Sequence, residues 1–474
     1  MDTTIPTNFA VLLLTFSWVF TEPSFQNFIC FITGSIACTG RHTISRIFQA
    51  GAGPARQKHH AAFYRFLSRA KWSMDAVGQV LFGVLRPFLP QEIVAAVDDT
   101  LAHRSGPHLW GAGMHHDASR STYGRGSGSG RRVTLAFGHN WVVVSIWVPL
   151  PWNPDKGLAV PILFRLYRAK KHCPPGQYRK RTELAAELLQ LLAHWVGPQG
   201  KLLLLSDHEY ACHTLLQDLP PWVTFIGPMA MDAALYAPPG PYQGRGRPPK
   251  RGPRLPSPQA LAQDPTLPWQ VMTVAIYGYE KVTIQVKTQL CLWYSVTGTR
   301  HVRMIVTRDP AGQLEDRAYF STDPQRTPEA IVVAFSRRWP LETCFRNAKQ
   351  LLGLEDPQNG WGRRPAGRRP RRQRPGPQPR GRRGQQAVER TVPMLFIAYG
   401  LVIVWYFQHG QPAREVKIVQ QQLPWYQHKC EPSFGDMLAA IRREFWLVRF
   451  SQYPLLRPVA KKIAQVLPYW LLAA

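Results

Sequence analysis

Acidic residues are scarce. The 474-residue chain has 29 Asp and Glu against 58 Lys and Arg, a formal charge of +29. That imbalance makes a polyanion, most commonly nucleic acid, the expected partner. It also makes any carboxylate at the edge of a core worth following. Cysteine is sparse as well: seven residues, an odd number, scattered from Cys30 to Cys430 with no CxxC pair. This excludes a disulfide framework and a zinc ribbon and suits a reducing compartment, with the thiols buried. Long apolar runs are few. Phe9–Phe20 lacks a basic leader and is cut off by Glu22-Pro23, unlike a signal peptide. Met394–Phe407 has 14 residues, where a spanning helix needs about 20. Both read as buried helices, and no membrane partner is expected. The hydrophobic share of 45% excludes wholesale disorder, and the length suits two to four domains at about 100–200 residues each.

What is present divides the chain. Residues 1–90 read as a helical DNA-binding region, in which Arg65, Arg69 and Lys71 interleave with Phe63, Tyr64, Phe66 and Leu67 to give a basic face. Residues 91–235 carry short apolar runs at 93–97, 133–137, 141–147, 202–205 and 223–226, with helical spacing over 181–195. Strands interrupted by one helix predict a mixed α/β sheet. Residues 236–325 hold four further β-type runs and read as a β-rich insertion. Helix returns over 326–360, with Thr327 as N-cap and Pro328 as the first helical residue. Residues 361–386 contain ten Arg and no acid, so disorder is expected there, and 387–474 reads as a helical C-terminal region.

Three acidic segments could carry chemistry. The apolar run Ile93–Val97 leads straight into Asp98-Asp99-Thr100, and Lys201–Leu205 leads into Ser206-Asp207-His208-Glu209-Tyr210. A strand buried on both faces first meets solvent at its end, where ligands of open α/β sheets sit. Successive strand residues point to opposite sides, so only one of Asp98 and Asp99 can face a given site. The stretch His208 to His213 is one residue too long for the i, i+4 histidine pair of an HExxH zinc site. In the third segment Phe335, Arg338, Glu342, Phe345 and Lys349 are spaced 3, 4, 3 and 4 apart, one stripe of a helix. Charges on such a stripe need partners.

This third pattern, aromatic-x2-Arg-x3-Glu-x6-Lys, resembles the Tyr-Arg-Glu-Lys signature of insertion-sequence DDE transposases, the insertion-sequence-four-like group. The Val-Asp-Asp-Thr and Leu-Ser-Asp-His-Glu-Tyr segments are similar to the contexts of that family's two catalytic aspartates, and the three motifs occur in the expected order over roughly 90–355. The resemblance implies an RNase H-like catalytic core interrupted by the β-rich insertion. It also implies DNA cleavage at transposon ends followed by strand transfer, with Asp99, Asp207 and Glu342 as catalytic and metal-binding residues. Asp99 is preferred to Asp98 because the family's aspartate usually precedes the Thr directly. Arg338 and Lys349 match the phosphate-contacting positions. Two Mg²⁺ ions, or Mn²⁺ in their place, are the implied cofactors, since paired divalent ions stabilise both the attacking and the leaving oxygen. DNA, a second copy of the chain in the synaptic complex and a nucleoid-associated cytoplasmic location follow from the same resemblance. The chain departs from the signature at Phe335, which replaces a tyrosine, and at Pro340 inside the motif, where a kink or helix restart is expected.

Two basic segments add to the DNA reading. Gly244–Arg251 contains an Arg-Gly-Arg-Pro core like that of an AT-hook, with Arg245 and Arg247 as minor-groove contacts. The arginines at 363–383 offer charge without shape, hence sequence-neutral, salt-dependent affinity. His103, His108, His115, His116 and Asp117 lack metal-ligand spacing and read as loop histidines near DNA. The competing reading of the chain is a catalytically inactive DNA-binding descendant of a transposase.

Overall fold

The computed structural model describes residues 4–105, 109–117, 120–121, 133–242, 244, 246–357 and 382–466. Helices α1 (Thr7–Leu14), α2 (Glu22–Ala37), α3 (Ile44–Ala50), α4 (His60–Ser68) and α5 (Met74–Leu85) precede the first strand. The strands are β1 (Glu92–His103), β2 (Gly113–His116), β3 (Leu135–Leu150), β4 (Asn153–Tyr167), β5 (Lys201–Ser206), β6 (Val223–Met229), β7 (Leu235–Tyr236), β8 (Arg254–Leu255), β9 (Gln270–Ile276), β10 (Tyr279–Leu292), β11 (His301–Arg308) and β12 (Arg317–Ser321). Between and after them run α6 (Arg181–Val196), α7 (His213–Leu216), α8 (Pro258–Gln263), α9 (Tyr294–Thr297), α10 (Pro328–Ser336), α11 (Trp339–Leu351), α12 (Arg382–His409), α13 (Pro412–Gln422), α14 (Phe434–Ser451) and α15 (Ala460–Val466).

All strands join one sheet, in the order β2-β3-β1-β5-β6-β12-β11-β10-β7-β8, with β4 on β3 and β9 on β10. The sheet is mixed: β1, β5 and β6 are parallel neighbours, whereas β1–β3 and β6–β12 are antiparallel. The parallel centre is buried on both faces, as the unbroken Leu202–Leu205 run requires. The strands after residue 236 extend this same sheet through the β6–β12 pairing.

Several elements differ from the sequence expectation. The runs at 133–137 and 141–147 belong to a single strand, β3, and β1 continues five residues past Asp98 to His103. β4 was not foreseen, because Pro154, Gly157 and Pro161 interrupt its apolar pattern. Pro161 is tolerated at a bulge, where the register with β3 shifts between Val144 and Ser145. Thr327 caps α10 as expected, its hydroxyl accepting from Ala330 N at 3.2 Å.

The run Met394–Phe407 lies within α12, which has 28 residues and is long and apolar enough to cross a membrane. In the fold, 94% of its apolar window is buried, against β4, α2, α4, α5 and α14. The N-terminal helices are locked to this core by two buried arginines acting as caps. Arg390 donates to Phe66 O, Leu67 O and Trp72 O, and Arg442 donates to Ile36 O and Cys38 O, satisfying carbonyls at helix ends. On α4 the apolar side is buried and Arg65 is exposed, as are Arg69 and Lys71 just after the helix.

Candidate active site

The parallel register pairs Val97 with Ser206, which brings the residues that follow, Asp98 and Asp207, side by side. Alternation along β1 then sends Asp99 to the opposite face. The two aspartates accordingly have different company.

Asp98 faces Arg338 and Glu342. The Arg338 guanidinium donates from Nη1 to Asp98 Oδ2 at 2.8 Å and from Nη2 to Glu342 Oε1 at 2.5 Å, joining groups 240 residues apart. This bridge exists because the helix breaks. α10 stops at Ser336, and α11 starts at Trp339 with Pro340 in its first turn, where a missing N–H costs nothing. Arg338 is the N-cap residue of α11, and Glu342 lies in that helix's first turn. The single stripe expected from Phe335 to Lys349 is therefore split, while Arg338, Glu342 and Lys349 keep their mutual register. Phe335 packs on Tyr319, ring centroids 4.6 Å apart.

Asp207 caps the turn after β5: its Oδ1 accepts from Glu209 N at 3.1 Å and Tyr210 N at 3.3 Å. Burial raises the Asp207 carboxyl above the usual range, opposed by the Tyr210 N–H and reinforced by the Asp99 charge. Asp98, 15% exposed, is pushed up to about 8, by burial first and by the Asp207 charge next, against the pull of Arg338. Arg338 is correspondingly held in its charged form: burial is the largest influence and opposes it, but Asp98 and Glu342 outweigh burial.

On the other face Asp99 meets three side-chain donors. Asn140 Nδ2 donates to its Oδ2 at 2.7 Å, Arg181 Nη1 to the same oxygen at 3.2 Å, and the Tyr210 hydroxyl to Oδ1 at 3.4 Å. Arg181, the first residue of α6, also pairs with Glu209 at 2.7 Å. Arg181, Glu209, Asn140 and Tyr210 were not singled out from sequence. Glu209 and Tyr210 stood in the motif after β5, but nothing in the spacing linked Asn140 or Arg181 to Asp99.

Lys349 lies one helical repeat beyond Glu342 and pairs with Glu355 at 3.8 Å. Glu355 also meets His103 Nδ1 at 2.8 Å, and His103 Nε2 meets Asp117 Oδ2 at 2.7 Å. Burial lowers the Lys349 ammonium, with Glu355 opposing. Arg104 fastens this corner by donating to Glu355 O and Leu354 O. Of the other histidines, His116 meets Ser121 and His115 is buried near Arg181; His108 lies outside the described residues. Arg247 is exposed on the 237–253 loop, remote from the carboxylates; Arg245 and most of the 363–383 arginines lie outside the described residues.

Among the described residues no group of three or more His, Cys, Asp or Glu side chains is arranged to hold a metal ion. The guanidinium groups of Arg338 and Arg181 each stand between two carboxylates instead. The donor chemistry nonetheless fits a hard divalent cation. Asp98 and Asp207 offer carboxylate oxygens, the ligand type such ions prefer; burial is the largest cause raising both, opposed at Asp98 by Arg338.

Comparison with curated proteins finds no match. The protein-family model described as DDE superfamily endonuclease matches residues 16–294, more than half of the chain, spanning both aspartate-bearing strands. With acids from separate segments meeting at the parallel centre of a mixed α/β sheet, the chain belongs to the DDE superfamily endonucleases.

Proposed function

We propose that the protein is a metal-dependent DNA transposase of the insertion-sequence-four-like group, cleaving at transposon ends and joining them to target DNA. The observation that carries this reading is the Arg338 bridge, which ties Asp98 on β1 to Glu342 on α11 beside Asp207. The order of β1, β5 and the Glu342 helix supports an RNase H-like core.

DDE nucleases generally use divalent metal ions. Asp98, Asp207 and Glu342 would hold them here, and such ions supply charge stabilisation to the attacking and leaving oxygens of a phosphodiester. Of the two aspartates we assign Asp98, which shares Arg338 with Glu342, rather than the Asp99 expected from sequence; Asp99 accepts from Asn140, Arg181 and Tyr210, and Asp98 from Asp99 N and Arg338. Arg338 neutralises Asp98 and Glu342 and is the first candidate for a phosphate contact. Lys349, further along α11, is a second candidate for the DNA backbone. Hydrolysis at the element's end frees a 3′-hydroxyl, which the same carboxylates then direct at target DNA. Two transposon ends processed together imply a dimer.

The test is cleavage of DNA carrying the element's terminal repeats by purified protein with Mg²⁺ or Mn²⁺. Nicking by the wild type and none by Asp207→Asn or Glu342→Gln is the expected result. Nicking that persists in both variants overturns the assignment. DNA retention with no nicking by the wild type instead identifies an inactive descendant.

A further inference from the structure

The 237–253 loop, far from the carboxylates, is built as a display. Its two legs are clamped at the base by the β7–β8 pairing of Leu235 with Leu255 and Tyr236 with Arg254. Above this, Ala237 N donates to Pro253 O at 2.9 Å and Gly252 N to Ala237 O at 2.8 Å. A Cβ at Gly252 would stand 2.4 Å from Pro238 O, so only glycine lets the legs cross this closely. Arg251 then pins the return leg, its guanidinium 4.3 Å from the Tyr236 ring and 5.4 Å from the Tyr294 ring.

Beyond the clamp the character changes. Residues 246–250, Gly-Arg-Pro-Pro-Lys, are exposed in non-repetitive backbone, with Gly246 at φ +108°. No Asp or Glu occurs between Asp232 and Asp264, so nothing on the loop neutralises Arg247 or Lys250. The proline pair holds the strip extended and thin, and apart from the cationic side chains it carries little bulk.

We propose that this loop is a second DNA site, which inserts Arg247 into the minor groove of A·T-rich duplex. A thin cationic strip suits a narrow groove, and the groove is narrowest and most negative over A·T tracts. A folded, rigid base reduces the ordering cost that a free basic tail would incur on binding. In the sheet β7 stands six strands from β1, so the loop and the carboxylates belong to different parts of it.

The site needs no metal and no cleavage, so it is measured apart from the nuclease reading. Full-length protein in EDTA is titrated against two fluorescent duplexes of equal length, one with a central A·T tract and one with G·C, at a fixed salt concentration. Wild type is expected to favour the A·T duplex by about tenfold, and netropsin, which fills that groove, to abolish the difference. Arg245→Ala, Arg247→Ala and Lys250→Ala together, at an unchanged melting temperature, are expected to bind both duplexes equally. Equal binding of the two duplexes by the wild type, or an A·T preference that survives the triple substitution, overturns the proposal.

Discussion

Asp98 and Asp99 show what a single residue's environment decides. Period-two alternation says only that the two carboxylates at this strand end part company, and it was the family resemblance alone that preferred Asp99. What separates them is non-local: Arg338 comes from 240 residues away, Asn140 from β3 and Arg181 from the start of α6. Asp98→Asn is expected to reduce metal-dependent cleavage by roughly 10²-fold or more, on the scale of losing one charge-stabilising group. Asp99→Asn should cost nearer tenfold, through a loosened Arg181. Single-turnover nicking of both variants checks the order, and a reversed order restores Asp99 as the ligand. His139 governs a different property. Its Nδ1 accepts from Arg104 Nε at 3.2 Å and its Nε2 donates to Trp110 O at 2.9 Å, and burial, aided by the Arg104 charge, lowers it to about 3. An unfolded histidine titrates near ~6.5. Below that pH the unfolded chain binds a proton that the folded chain refuses, so stability present above about 6.5 is lost progressively towards pH 3. His139→Gln should melt lower than wild type at pH 7.5 but lose less on going to pH 5, as differential scanning calorimetry would show.

At the scale of elements, legibility tracked how local the cause was. Helix α6 and strands β5 and β6 were readable because their apolar spacing and their end signals lie within the segment. The break before α11 was also announced, by Pro340. β4 was hidden because what makes it a strand is β3 beside it and α12 above it, while its own residues include Pro161 and Gly157. α5 shows the same dependence on a neighbour. Gly78, mid-helix, lies so close to β4 that an added Cβ would stand 2.0 Å from Ile162 O, a backbone atom that cannot rotate away. Helix propensity alone makes Gly→Ala stabilising by up to about 1 kcal/mol. Here steric overlap wins, and Gly78→Ala is expected to destabilise by about 1–3 kcal/mol, the usual range for overpacking. Gly83, on the same helix with nothing within 4 Å of its notional Cβ, is the control, and Gly83→Ala should raise the melting temperature. A melting pair in the opposite order would mean that α5 does not rest on β4 as described.

For the whole molecule the informative quantity is charge placement. The excess of +29 was legible as a DNA partner, but not how the basic groups divide. Some are consumed internally: Arg390 and Arg442 cap helices, Arg165 pairs with Asp75 and Glu187, and Arg338 and Arg181 sit among the carboxylates. Others, including Arg65, Arg69, Lys71 and Arg247, are free to face solvent. Only the second group can release counterions from DNA, at a slope of about −0.9 in log K against log salt for each phosphate neutralised. Binding and chemistry should therefore separate. Asp207→Asn and Glu342→Gln, which abolish nicking, are expected to leave the salt slope of DNA binding unchanged. Removing Arg65, Arg69 and Lys71 together should make it shallower by up to about 3 while leaving the melting temperature in place. Anisotropy titrations between 50 and 300 mM salt, roughly the range over which such slopes are linear, read both. A slope untouched by the triple substitution would take the α4 face out of the DNA interface and leave affinity to the remaining exposed cations.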